Sequence, residues 1–205
     1  MFDSIGCMTD LAWQPSLLDA VELDLGRPRR RPLAGGAWVD VAPGWCGDAD
    51  GLFARLLDAT PWGPQRSVRI YDRIVPEPRL THRWTLDDAP PELAAMAREL
   101  SGRYGVRFTQ VGANLYRDGA DSVAWHGDRV ARERPEAVVA LVSLGAVRPF
   151  RLRPTGGGES VGLRPGPGDL LVMGGSCQRT WQHAVPKCRG AGPRISVQFR
   201  HAYQR

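Results

Sequence analysis

The sequence predicts an α+β fold, with helices early and a β-rich jelly roll after them. Three observations point that way. Apolar residues recur at helical spacing twice in the first half of the chain. Beyond Gly105 that spacing stops, and short segments rich in β-branched residues follow one another. Glycine and proline clusters separate these segments, at Gly156-Gly157-Gly158, Pro165-Gly166-Pro167-Gly168 and Gly174-Gly175. Short strands with frequent turns are the signature of a sandwich or barrel. The 205 residues are expected to form one domain, residues 1–205. Residues 1–105 form an N-terminal extension with the helices, and residues 106–205 the jelly-roll core.

The elements follow in order. Residues 1–35 read as irregular, and the Arg-Pro-Arg-Arg-Arg run within 26–36 as a solvated basic loop. Residues 38–41 read as a short strand. Leu52, Phe53, Leu56 and Leu57 predict a helix over 48–58. Residues 66–84 mix prolines, arginines and β-branched residues and read as a hairpin or extended flap. Pro90 and Pro91 open a second helix to about Arg103, with Leu93, Met96, Ala97 and Leu100 as its apolar stripe. Strands are expected at 107–116, 137–144, 150–153, 160–164, 169–173, 180–185 and 194–201.

Composition removes several classes. Hydrophobic residues make up 42% and charged residues 24%, which is ordinary globular usage and excludes disordered, collagenous and coiled-coil chains. No apolar run approaches the roughly 20 residues of a membrane span. Residues 1–10 lack the basic-then-apolar layout of a signal peptide, so a cytoplasmic location is expected. The formal net charge is +5. All but one of the 27 basic residues, Lys187, are arginine. That bias fits a GC-rich coding sequence or a surface for phosphates, where the planar guanidinium suits bidentate contacts. Cys7, Cys46, Cys177 and Cys188 form no C-x-x-C pair, so neither a zinc site nor a disulfide framework is indicated.

Trp125-His126-Gly127-Asp128 places an imidazole and a carboxylate two residues apart. In extended chain, positions i and i+2 point to the same side, so both can face one metal ion. A third ligand must come from the other histidines, His82, His183 or His201. Two histidines and one carboxylate make the facial triad of non-haem Fe(II) oxygenases, which leaves positions open for co-substrate and O2.

The segment 194–200 alternates cleanly. Ile195, Val197 and Phe199 share one face; Arg194, Ser196, Gln198 and Arg200 share the other. The polar face either meets water or lines a cavity and grips an anion. Asn114 and Tyr116 repeat the i, i+2 logic ahead of the H-x-D pair.

Together, Asn-x-Tyr, Trp-His-x-Asp, a later histidine and a C-terminal Arg-x-x-x-x-x-Arg closely resemble the AlkB family of Fe(II)- and 2-oxoglutarate-dependent dioxygenases, of the DNA-alkylation-repair type. The match runs through residues 114–200. The resemblance implies a double-stranded β-helix, with residues 66–84 as a nucleotide-recognition lid. It assigns iron to His126, Asp128 and His183. It assigns 2-oxoglutarate to Asn114, Tyr116, Arg194, Ser196 and Arg200, with Arg194 on the distal carboxylate. In the lid, Tyr71, Arg79, His82 and Trp84 become candidates for phosphate contact and base stacking. Ser196 and Gln198 stand where the family commonly has Asn and Thr. Arg129 and Val130 stand where many relatives carry an acidic residue. The implied function is oxidative dealkylation of N-alkylated bases in DNA, with RNA as an alternative, by a monomer that uses O2 and releases formaldehyde, succinate and CO2. Competing readings are a dioxygenase of the same fold acting on modified tRNA, protein or a small molecule, and a non-catalytic damage-binding protein.

Overall fold

A computed structural model describes residues 26–63, 78–130 and 134–201, with the backbone alone of 67–70 and 73–76. Two antiparallel sheets carry the architecture. The larger has seven strands in the order β1-β2-β11-β8-β13-β6-β5, and the smaller four in the order β10-β9-β12-β7. The larger comprises β1 (Arg29–Pro32), β2 (Ala37–Ala42), β5 (Leu80–Thr85), β6 (Phe108–Tyr116), β8 (Val139–Gly145), β11 (Leu170–Gly175) and β13 (Arg194–His201). The smaller comprises β7 (Val123–His126), β9 (Phe150–Pro154), β10 (Val161–Leu163) and β12 (Trp181–Val185). A separate hairpin pairs β3 (Ser67–Ile70) with β4 (Arg73–Pro76). The two facing sheets make the expected jelly roll. The larger sheet draws β1, β2 and β5 from before residue 105, so the barrel is built from both halves of the chain.

Two helices cover the outer face of the large sheet. In α1 (Ala49–Ala59), Leu52 and Leu56 are buried. In α2 (Pro91–Tyr104), Leu93, Ala97 and Leu100 are buried. These meet Val111, Ala113, Leu115, Ile195, Val197 and Phe199 from the strands. Each fully buried Leu or Phe of this kind contributes roughly 1.5–3 kcal/mol. Pro91 occupies the first turn of α2, where its missing N–H costs nothing. Gly105 ends the helix at φ 64°, a left-handed conformation that glycine adopts without a Cβ clash.

A second apolar cluster lies between the sheets. Val39, Leu141 and Met173 of the large sheet meet Phe150, Leu152 and Trp181 of the small one. It fills one end of the space between the sheets; the other end stays open as the cavity described below.

Two expectations change. The basic run within 26–36 is not a loop: Arg29–Pro32 is an edge strand in antiparallel register with β2. Consecutive arginines show no apolar alternation, so the run does not read as a strand. It holds because Arg30 pairs with Asp40 at 2.8 Å and lies 3.6 Å over the Trp38 ring, and charged residues are common on sheet edges. The flap at 66–84 divides: β3 and β4 form the hairpin, while β5 joins the large sheet beside β6. Tyr71 lies outside the described residues. A four-residue helix, α3 (Cys177–Thr180), precedes β12 and had no sequence signal.

Candidate iron and co-substrate site

The register of the small sheet assembles the candidate metal triad. His126 ends β7 and stands directly opposite His183 of β12. Their rings lie 4.2 Å apart. Asp128 follows two residues after His126, so its carboxylate returns to the same side. Ligand atoms of His126, Asp128 and His183 all lie within 4.8 Å of one another, the spacing of a site that encloses one small cation. His82 and His201, the other possible third ligands, are not in this group.

Each ligand is held from behind. The His126 Nδ1 lies 2.8 Å from the Ala124 carbonyl oxygen. A carbonyl only accepts, so Nδ1 carries the proton and Nε2 keeps its lone pair for a metal. Phe150 stacks on His183 at 5.5 Å and 16°. Burial pushes the His183 ring down to about 3, which keeps it neutral and able to ligate. The Asp128 backbone N–H donates to the side-chain oxygen of Gln178 at 2.9 Å. Gly127 makes room for this: a Cβ there would stand 3.0 Å from the Gln178 carbonyl oxygen. Burial alone would raise the Asp128 carboxyl, but the charge and hydrogen bonds of Arg200, together with the two neighbouring histidines, outweigh it and the group falls to about 2. Arg200 donates to both carboxylate oxygens, at 3.2 and 3.3 Å.

The inner face of the large sheet supplies a polar wall. Register aligns its side chains in rows: Arg194 beside Tyr116, Ser196 beside Asn114, Gln198 beside Gly112 and Arg200 beside Gln110. Arg194, Ser196 and Gln198 are only 1%, 4% and 5% exposed. The alternating polar face therefore does not meet bulk water; it faces the space between the sheets. A cavity of about 660 Å³ occupies that space and is lined by the triad, Asn114, Tyr116, Ser196, Gln198 and Arg200. Its volume is in the range of small-molecule sites, roughly 300–1,000 Å³.

Arg194 decides what anion the wall suits. It is buried, its Nε donates to Ser143 Oγ at 2.9 Å, and both terminal nitrogens have no partner. Its guanidinium lies 5.4 Å from the centre of the Tyr116 ring, which lines the cavity. An unpaired buried guanidinium is costly unless an anion completes it. A dicarboxylate reaching from the metal toward Tyr116 and Arg194 would do so. The donor set thus fits Fe(II) and 2-oxoglutarate: His126, Asp128 and His183 for the ion, Arg194 with Tyr116, Asn114 and Ser196 for the co-substrate. Arg200, expected on the co-substrate, pairs with the Asp128 carboxylate and also lines the cavity.

The lid residues separate by strand parity. Thr81, Arg83 and Thr85 of β5 pair with Asn114, Gly112 and Gln110, the inward positions of β6. His82 and Trp84 pair with Ala113 and Val111, which lie in the outer core. Trp84 packs against that core, and His82 meets it edge-on at 4.6 Å. Both rings thus stand at outer positions of β5, and both still border the cavity. Arg83 takes the inward position instead. Arg79, just ahead of β5, lines the cavity. Sequence reading also passed over Gln178 and Ser143. Ser143 had one signal, a hydroxyl inside the apolar run 137–144; Gln178 had none.

Comparison with known proteins agrees with this geometry. A prolyl-4-hydroxylase of Pseudomonas putida matches with a TM-score of 0.55 and 18% identity, over 80% of this chain and 92% of that one. A prolyl hydroxylase from Trichoplax adhaerens, solved with a hypoxia inducible factor peptide, matches with a TM-score of 0.57 and 14% identity, over 79% and 83%. These likenesses concern the fold. The family described as the 2OG-Fe(II) oxygenase superfamily matches residues 55–200. The alpha-ketoglutarate-dependent dioxygenase alkB homolog 3 of Bos taurus is 32% identical over 190 residues, covering 80% of this chain and 66% of its own length. The human DNA oxidative demethylase ALKBH2 is 32% identical over 127 residues, 57% of this chain and 49% of its own length. The chain belongs to the 2OG-Fe(II) oxygenase superfamily, and it is similar to alkB homolog 3 over 80% of its length. The superfamily's Fe(II) fits the group formed by His126, Asp128 and His183. Among the described residues, no helix is long and apolar enough to cross a membrane.

Proposed function

We propose that this protein oxidatively dealkylates N-alkylated bases in DNA. The observation that carries the reading is the continuity of the cavity from the metal triad to the inward face of the lid strand β5. A base extruded from its strand would enter between β5 and the triad, its alkyl group toward the metal. The chain spans 66% of its Bos taurus relative and less of ALKBH2, and the name of ALKBH2 supports a DNA substrate.

Bound Fe(II) with 2-oxoglutarate supplies O2-dependent oxidation of the alkyl carbon, with succinate, CO2 and formaldehyde as products. The chain contributes the rest. His126, Asp128 and His183 would hold the ion. Arg200 keeps Asp128 ionised across the ordinary pH range. Arg194, Tyr116, Asn114 and Ser196 orient the co-substrate through its distal carboxylate. Phe150 and Leu141 exclude water from the triad side of the cavity.

The test is reconstitution with Fe(II) under anaerobic conditions, then admission of O2 with 2-oxoglutarate and oligonucleotides bearing a single N-methylated base. Formaldehyde and succinate in equal amounts, with recovery of the unmodified base, is the expected result. Succinate formed at the same rate with and without every methylated oligonucleotide would count against a nucleic-acid substrate.

A further inference from the structure

We propose that Arg148 is a positioning residue for the co-substrate, a second buried cation whose charge acts on the distal carboxylate across the Tyr116 ring. The inference rests on the co-substrate reading of Arg194 and is independent of which substrate is oxidised. Arg148 lies in the turn between β8 and β9 and is fully buried. Arg194 stands between Tyr116 of β6 and Gly145 of β8 in the large sheet. Arg148 comes three residues after Gly145, and its turn is held to the start of β13 by the Ala146 N–H, which donates to the Pro193 carbonyl oxygen at 2.9 Å. Both guanidiniums therefore meet one ring. Arg148 lies 5.5 Å and Arg194 5.4 Å from the centre of Tyr116, within the reach of cation–π attraction. Tyr116 lines the cavity and Arg148 does not, so Arg148 acts on a ligand there through its field rather than by contact.

Its hydrogen bonds fix the charge in place without cancelling it. Nη1 donates to the Asp118 carbonyl oxygen at 2.7 Å, and Nη2 to those of Asp121 at 2.7 Å and Pro186 at 3.1 Å. Among the described residues, no carboxylate forms an ion pair with Arg148. Asp121 lies close enough to feel its charge, but Arg117 takes both Asp121 oxygens at 2.8 Å each. A neutral amide could donate to two of these carbonyls without the cost of burying a charge. The carbonyls alone do not call for a cation.

The charge is felt at Arg194. Burial holds that guanidinium below its ordinary value, and the Arg148 charge lowers it further while Tyr116 opposes both. The two terminal nitrogens of Arg194 have no partner. Two like charges in a medium of low polarity repel each other, and an anion seated on Arg194 relieves that repulsion. A terminal carboxylate thus gains from Arg148 as well as from Arg194, whereas an uncharged end group gains from neither charge.

The experiment compares 2-oxoglutarate with 2-oxopentanoate, which has the same carbon chain and a methyl group in place of the distal carboxylate. Dissociation constants for both are measured by calorimetric titration of the Fe(II)-loaded protein without O2. The ratio of the two constants is internal to each variant, so partial loss of folded protein cancels. Arg148→Gln keeps N–H donors for the carbonyls and removes the charge. It should weaken 2-oxoglutarate about tenfold and 2-oxopentanoate by less than about twofold. Arg148→Lys keeps the charge and should hold the ratio within about threefold of the wild-type value. Equal weakening of both acids in Arg148→Gln would overturn the proposal and leave Arg148 as a clamp on the turns at Asp118, Asp121 and Pro186. So would an Arg148→Lys protein that loses the ratio as fully as Arg148→Gln. Arg194→Met separates this inference from the reading beneath it. An unchanged ratio in Arg194→Met would remove Arg194 from the co-substrate site and this inference with it, whereas a ratio lost there and kept in Arg148→Gln would overturn the inference alone.

Discussion

The side-chain oxygen of Gln178 accepts the backbone N–H of Asp128 at 2.9 Å, bridging 50 residues of sequence. The adjacent Arg179 donates to the carbonyl oxygens of Val130 at 2.7 Å and Arg134 at 3.1 Å. One short helix therefore clamps the chain on both sides of the point where it leaves the metal site.

Gln178→Leu keeps the volume but leaves the Asp128 N–H without its acceptor. A buried donor left unpaired costs about 1–3 kcal/mol, and groups that orient a metal ligand typically change affinity 10–100-fold. Fe(II) affinity, read by anaerobic titration, is expected to fall by about tenfold with the fold retained. Unchanged affinity would reduce Gln178 to a packing residue.

Acid should destabilise the metal-free protein through His183. Burial pushes its ring down from 6.5 to about 3 in the folded state. Between those values the unfolded chain binds a proton that the folded chain does not. Stability therefore rises with pH across this window and is lost as pH falls from 6.5 toward 3. Thermal melts at pH 7, 6 and 5 should show a falling Tm. His183→Gln should flatten the dependence, and an equal slope in the variant would place the acid sensitivity elsewhere.

Arg194 is stabilising only with its anion. Replacing an unneutralised buried charge by an apolar side chain commonly gains about 1–3 kcal/mol. Arg194→Met is therefore expected to raise the Tm of the co-substrate-free protein while weakening 2-oxoglutarate about 100-fold, the scale of a lost bidentate pair. Arg194→Lys keeps the charge without the fork and should fall between the two. Calorimetric titration checks both, and tight binding of 2-oxoglutarate to Arg194→Met would remove Arg194 from the site.

Trp84 packs against the outer core and borders the cavity, and its packing is expected to outweigh any contact with substrate. Trp84→Ala should cost about 2–3 kcal/mol in urea unfolding, somewhat below a fully buried tryptophan. Selectivity among methylated oligonucleotides should not move. A selective loss on the lesion-bearing strand alone, with unfolding unchanged, would restore it as a stacking surface.

Much of this was legible in the chain. The period of 3.6 located α1 and α2 through Leu52, Leu56, Leu93, Ala97 and Leu100, because each stripe buries against one sheet and needs no knowledge of which sheet. Glycine and proline turns marked the strands from Phe108 onward. The H-x-D pair showed itself because extended chain puts i and i+2 on one side whatever surrounds them. The alternation of 194–200 announced two unlike faces for the same reason.

Which face meets what is not a local property, and there the tertiary structure decided. His183 became the partner of His126 only through the β7–β12 register. The polar face of β13 became a cavity wall because β6 and β8 flank it and the small sheet faces it across the cavity. Trp84 and Arg83, adjacent in sequence, went to opposite sides according to which β6 residues they pair with. Arg29–Pro32 became a strand because Asp40 and Trp38 neutralise and cover Arg30. Gln178 gained its role from a contact made across the fold. A period of two specifies that a strand has two faces; the strands beside it and the sheet opposite determine which one is turned inward.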